Sequence, residues 1–300
     1  MALNKEQEKW ISKIKSDKKN VKKIPAGLLT EEFCLTLVQE TDAFQYLPET
    51  LKTGVLCLAA VQEKGRALEF VPDELKTGDL CLAAVQKNGF AFDYVPDALK
   101  TEAMCLAAVQ KYGNYLDHVP NALKTEAVCL AAVQTNGSAL EFVPDALKTE
   151  SFYLAAVQYG SCTLEDVPDA LKTEAVCLAA LIQNESAQAN IPKHLKAKVD
   201  AALKNAFSTE ALCLAEVQQN GRALQYVPKE FKTEAVCFAA VKQNGWALEF
   251  VPEKLKTAEL CFEAVKRDIG YYKSSHRVIN LTPEELREEI LHKLDTHKRE

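Results

Sequence analysis

Ten cysteines and five histidines are the residues of this 300-residue chain best suited to metal binding or nucleophilic chemistry, and their spacing argues against both uses. Nine of the cysteines (Cys34, Cys57, Cys81, Cys105, Cys129, Cys177, Cys213, Cys237, Cys261) recur at one position of a repeating pattern, a position that Tyr153 takes once. Each sits among Val, Leu and Ala, where cysteine acts as a small buried hydrophobe. No CxxC pair and no Cys/His cluster of zinc-ligand spacing occurs. The nine are therefore expected in the core, and so many unpaired thiols suit a reducing compartment. Cys162 is out of register, in a surface-like position, and is the thiol expected to react first. His118, His194, His276, His292 and His297 form no HExxH-like pair, and every glycine stands alone, which leaves no phosphate-cradling loop. No catalytic residue, metal or cofactor is expected.

A lysine follows each of nine prolines by four residues: Lys52, Lys76, Lys100, Lys124, Lys148, Lys172, Lys196, Lys232 and Lys256. A regular cationic ladder could track a phosphate backbone. Acids stand three residues before several of these lysines, as in Asp73/Lys76, Asp97/Lys100, Asp145/Lys148 and Asp169/Lys172. A second acidic ladder runs through Glu69, Asp93, Asp117, Glu141 and Glu165. Mutual neutralisation on a solvated face is the expectation. The formal charge of −6 likewise argues against a default nucleic-acid or anionic-membrane binder. Residues 1–23 carry eight lysines against three acids, +5, which leaves −11 for the remainder. This basic start reads as a solvated capping helix, with a docking patch as the alternative. It has no apolar signal core, and no apolar run approaches membrane-spanning length. A cytoplasmic protein is expected, or one exported without a cleaved signal.

The elements behind these ladders are tandem repeats. Val-Pro or a close variant recurs from Ile24-Pro25 to Val251-Pro252 at a spacing of 23 once, 24 six times, 36, then 24. In residues 119–142, VPNALKTEAVCLAAVQTNGSALEF, Thr125 reads as an N-cap with Glu126 in the first turn. AVCLAAVQ has almost no polar face, so the helix should be buried on several sides. Asn136-Gly137 should end it, with the glycine left-handed. SALEFV begins a second, shorter helix that Pro144 interrupts or restarts. The prediction is an all-α protein: a right-handed or superhelical α-solenoid of about ten two-helix, 24-residue repeats with N- and C-terminal capping helices.

KQNGWALEFVPEKL at 242–255 and TEAVCLAAVQ at 125–134 resemble a family of tandem short helical repeats catalogued as a domain of unknown function. The family is found in bacteria, some of them host-associated, and in some protists and viruses. The resemblance covers most of residues 25–265. It implies the repeat fold and no activity.

Differences between copies are where specificity can reside. The position after the glycine holds Arg66, Phe90, Asn114, Ser138, Cys162, Ser186, Arg222 and Trp246, including residue types enriched at binding hot spots. The position before Val-Pro holds mostly aromatics, expected as core or groove lining. Residues 184–190, NESAQAN, lose the glycine, leucine and aromatic of the pattern, and 12 added residues follow. Leu195, Val199, Ala202, Leu203 and Ala206 share one helical face there, with Lys193, His194, Lys196, Lys198 and Lys204 around it. The chain thus divides into a basic capping helix (1–23), a first array (24–190), an inserted amphipathic helix (191–208), a second array (209–266), and a linker with a C-terminal capping helix (267–300). In the last, Thr282-Pro283 reads as a helix start.

A non-enzymatic scaffold that binds another protein or peptide is the expected function. Lys198, Lys204, Arg222, Trp246, Arg66 and Phe90 are the candidate partner-binding residues. Nucleic-acid binding through the lysine ladder and an enzyme sited at the broken copy are the alternatives. The family resemblance adds a host-directed bacterial effector as a compatible role.

Overall fold

The structure, a computed structural model, describes residues 3–269 and 278–297, with side chains for 3–266 and 278–294. Much of the linker expected after residue 267 therefore lies outside the described residues. The chain forms two compact units, Met1–Lys148 and Thr149–Glu300. The first holds α1 (Lys5–Ser16), α2 (Glu31–Glu40), α3 (Gly54–Glu63), α4 (Gly78–Lys87), α5 (Glu102–Val109) and α6 (Glu126–Thr135). The second holds α7 (Glu150–Gln158), α8 (Glu174–Gln183), α9 (Lys196–Ala206), α10 (Glu210–Gln219), α11 (Glu234–Gln243), α12 (Ala258–Ile269) and α13 (Arg287–His297). No strand occurs among the described residues. Each unit is an all-α solenoid in which successive copies stack on one another.

Each copy opens on a threonine. From Thr30 to Thr257, ten threonine hydroxyls accept the backbone N–H three residues on, at 3.3–3.4 Å. This satisfies one of the donors a helix start leaves orphaned. The helix that follows buries one face only. In α3, Leu56, Cys57, Ala60 and Val61 are buried while Val55 and Leu58 are 59% and 40% exposed. The expected burial on several sides is thus corrected: the apolar run is longer than the face it covers. All nine in-register cysteines are buried.

The second helix of the copy is not α-helical. It is a six-residue 3-10 helix, such as Gly137–Phe142, followed after the proline by a three-residue one, such as Asp145–Leu147. Proline forces the preceding Val into an extended conformation and offers no N–H, so the two short helices cannot merge. The expected left-handed glycine is also corrected. The residue before it is extended (φ −150° at Asn136), and its side chain caps Ser138 N–H at 3.0 Å. Glycine is required there by contact. A Cβ on Gly65, Gly113, Gly221 or Gly245 would lie 2.3–2.4 Å from the carbonyl oxygen of Ala84, Ala132, Ala240 or Ala264 in the next helix.

Apart from Lys196, which is exposed at the start of α9, the lysine ladder is part of the stack rather than a solvated face. Lys52, Lys124 and Lys232 donate to the carbonyls of Phe70, Phe142 and Phe250 in the following copy at 2.8, 3.2 and 3.0 Å, and Lys256 donates to that of Leu281 at 3.2 Å. These acceptors end 3-10 helices, where carbonyls lack intrahelical partners and carry partial negative charge. Lys76, Lys100, Lys172 and Lys256 are only 8–12% exposed, whereas their ion-pair partners Asp73, Asp97, Asp169 and Glu253 are 78–91% exposed. Only the acids face water. Threonine caps add a third tie: Thr125, Thr173 and Thr233 donate to Glu102, Glu150 and Glu210 of the preceding copy at 2.6–2.8 Å.

One copy in the second unit departs from this plan, and it is not the one the sequence suggests. Residues 184–190, despite their losses, keep the 3-10 helix Glu185–Asn190. Asn184 still caps Ser186 N–H at 3.0 Å, and Ala187 still fills its buried place. The preceding copy is the one that loses it. Gly160 takes the Asn position with φ +71°, and Thr163 N–H and Oγ1 both donate to Asp166 at 2.8 Å. The altered turn carries Cys162 inward, which corrects its expected exposure: it is buried, and burial, with Asp166 second, pushes its thiol up to about 12. At the C-terminal end, Thr282 does not cap a helix. Its hydroxyl donates to Ile279 at 2.6 Å, and the 3-10 turn Glu284–Leu286 precedes α13.

Candidate partner-binding surface

The position after each glycine lies in the first turn of a 3-10 helix, and in five copies the preceding Asn caps its N–H. Arg66, Phe90, Asn114, Ser138, Ser186, Arg222 and Trp246 are all exposed there. In the first unit, three successive copies gather such residues into one cluster. Asn88 caps Phe90 N–H at 3.1 Å, and Phe90 is 40% exposed. Its ring lies 4.3 Å from that of Tyr112 and meets Tyr115 edge-on at 5.4 Å. Tyr112 is 39% exposed, so two large rings face water side by side.

The support beneath them is polar and satisfied. Tyr115 is buried and its hydroxyl donates to Asp93 Oδ2 at 2.9 Å. His118 stacks on Tyr115 at 4.9 Å and places Nδ1 3.0 Å from Asp93 Oδ1. Burial, then the bond to Asp93, holds the Tyr115 phenol above the usual tyrosine range. Arg66 donates to the Tyr94 hydroxyl at 3.4 Å, and that bond raises the guanidinium pKa further. The cluster therefore presents two exposed rings and a cation, braced by a carboxylate that holds two side chains of the next copy. It can bury an apolar side chain against the rings while Arg66 meets an acceptor. Beyond it the surface turns polar, with Asn114 Oδ1 accepting from Asn136 Nδ2 at 2.7 Å and Ser138 Oγ at 3.1 Å.

The structure thus brings Arg66 and Phe90 into one cluster, and the sequence reading missed Asp93, Tyr112 and Tyr115. The missing signal was present in the register: Tyr112 stands where five copies have Asn, and Tyr115 where most have Ala. The other four nominated residues do not converge. Lys198 and Lys204 are exposed on α9, whose buried residue is Val199. Arg222 lines a cleft of ≈ 370 Å³ with Gly160, Cys162, Glu165 and Asn190. Trp246 is 37% exposed and capped at its N–H by Asn244 at 3.0 Å. No ring contact, hydrogen bond or ion pair joins these four among the described residues.

Among the described residues, no group of three or more His, Cys, Asp or Glu is placed to hold a metal ion, and no helix is long and apolar enough to cross a membrane. Comparison with known proteins gives one family. The model described as Domain of unknown function (DUF4116) matches residues 56–100, 101–148, 212–256 and 233–287. No curated protein and no solved structure matches the chain. The four matches recur in tandem and together span more than half of the sequence, and the chain belongs to this repeat family.

Proposed function

We propose that the chain is a non-enzymatic interaction scaffold, and that the surface of Arg66, Phe90 and Tyr112 binds a peptide segment of a protein partner. The observation that carries this reading is the Phe90–Tyr112 pair: two rings in tilted contact, each about two-fifths exposed, held from behind by Tyr115 and Asp93. Rings fixed before binding lose little entropy on contact, which is what makes aromatic side chains effective anchors. The nucleic-acid alternative is weakened by the lysine ladder: all of its ammonium groups except that of Lys196 are already engaged, by carbonyls of the following copy or by acids three residues before them. A random-peptide display library selected on the full chain, and counter-selected on a Phe90→Ser/Tyr112→Ser variant, tests the reading. Sequences with an apolar or aromatic anchor should enrich on the wild type alone. Equal enrichment on both proteins would place binding elsewhere.

A further inference from the structure

The joint bridged by α9 differs from every other joint described above in one paired respect. At four joints a glycine is pressed against an alanine carbonyl so closely that not even a methyl group fits. At this joint the two corresponding positions are Glu185 and Glu216. Eight other copies hold alanine where Glu216 stands. Two of the smallest residues have become two long acids at the one place where α9 enters the stack, packing on α8 and touching α10. The insertion removes the contact that forbids side chains, and the space it leaves is a cleft of ≈ 620 Å³.

That cleft is lined by Gln158, Gln183, Gln219 and Gln243, the last residues of α7, α8, α10 and α11. Four helix C-termini border one space, and each contributes partial negative charge. Glu216 lies among them, half-buried. Its carboxylate has no hydrogen bond or ion pair among the described residues, and no lysine, arginine or histidine lines the cleft. Two of the glutamine amides around it are engaged. Gln243 accepts from Gly221 N–H at 2.7 Å and donates to the Gln219 carbonyl at 3.1 Å, and Gln183 donates to the Gln158 carbonyl. At the rim Tyr159 is 66% exposed, a ring available to a cation's face. Burial raises the Glu216 pKa, as expected of a carboxylate without a counter-charge.

We propose that this cleft is a binding site for an organic cation, a primary ammonium or guanidinium group, seated on the Glu216 carboxylate at the convergence of four helix C-termini. The set is wrong for a divalent metal, which favours several charged oxygen ligands rather than a single carboxylate. The cation can belong to a free polyamine or to a lysine or arginine side chain, and the test separates the two sources. The site is independent of the aromatic surface in the first unit, so either can fail alone.

The experiment is an NMR titration of the full chain, following the side-chain amides of Gln219, Asn220 and Gln243. The probes are spermidine, the capped peptide Gly-Arg-Gly, the neutral peptide Gly-Gln-Gly and magnesium chloride. Saturable shifts are expected with spermidine, with the arginine peptide or with both, and none with the glutamine peptide. Which probe binds assigns the source. Glu216→Gln should weaken the affinity about tenfold or more, because a charge-assisted contact is lost. Glu216→Ala, the residue of most other copies, should do the same while keeping the helical spectrum. Binding should also weaken as pH falls and the carboxylate protonates, sooner than it would for a fully solvated glutamate. No saturable shift with either cationic probe, equal affinity in Glu216→Gln, or a response to magnesium alone would overturn the proposal.

Discussion

Gly113→Ala isolates the contact that sets the spacing of the copies. The new methyl carbon would lie 2.4 Å from the Ala132 carbonyl oxygen and 2.8 Å from both Cβ and N of Asn136, whereas ordinary contact begins at 3.4 Å. The obstacles are backbone and Cβ atoms, so two packed copies must separate by about 1 Å, and overpacking of this kind costs about 1–3 kcal/mol. Removing glycine's freedom in the unfolded chain returns about 0.4–1 kcal/mol, which leaves a net loss of about 1–2 kcal/mol. Urea denaturation followed by circular dichroism should show the midpoint lowered by about 0.5–1 M for slopes typical of this size. The matched variant is Glu185→Ala, at the same position of the joint opened by α9. It meets no such contact and should change stability by less than about 0.5 kcal/mol. Wild-type stability in Gly113→Ala, or equal losses in both variants, would refute the idea that a glycine–carbonyl contact fixes the spacing.

Other outcomes follow from the same joints. Lys124→Met removes the charged donor to the Phe142 carbonyl and should cost about 1–3 kcal/mol, largely insensitive to salt. Asp97→Asn removes only the exposed member of an ion pair and should change stability by less than about 0.5 kcal/mol. Burial raises Cys105, Cys129, Cys237 and Cys261 from 9.0 to about 11 in the folded chain. Raised acids favour the folded state below the unfolded value, so stability should hold up to about pH 9 and fall as pH rises through 11, readable as melting temperature against pH. Native-state thiol titration near pH 8 should leave all ten cysteines slow, Cys162 included, because its thiol sits near 12. Its rapid labelling would contradict the inward turn at Gly160.

What the sequence made legible was local or periodic. Thr125 caps a donor three residues away, and the cysteine register repeats a buried helical position, so both could be read from spacing. What escaped it depends on atoms a copy away. Gly113 is held by a carbonyl 19 residues on, and Lys124 by one 18 residues on, and a backbone acceptor leaves no mark in residue type. Lys124 therefore looked like surface charge. The losses in residues 184–190 looked disruptive, yet the Asn184 cap and Ala187 suffice for the 3-10 helix, while the quieter change of Asn to Gly160 reverses a backbone angle. Of the candidate surface, Arg66 and Phe90 were visible as variable positions. Tyr112, Tyr115 and Glu216 stand at positions held in most copies by Asn or Ala and are legible as exceptions, but the residues they meet a copy away are not.

The most direct test of the scaffold reading is the equilibrium affinity of one display-selected peptide for three proteins: wild type, Phe90→Ser/Tyr112→Ser, and Trp246→Ser as a control in the second unit. Truncating two contacting, exposed anchors should cost about 2 kcal/mol or more, a loss of roughly 30-fold, while the control binds as the wild type does. Unchanged affinity in the double variant, or an equal loss in the Trp246 variant, would contradict a partner-binding surface at Phe90 and Tyr112.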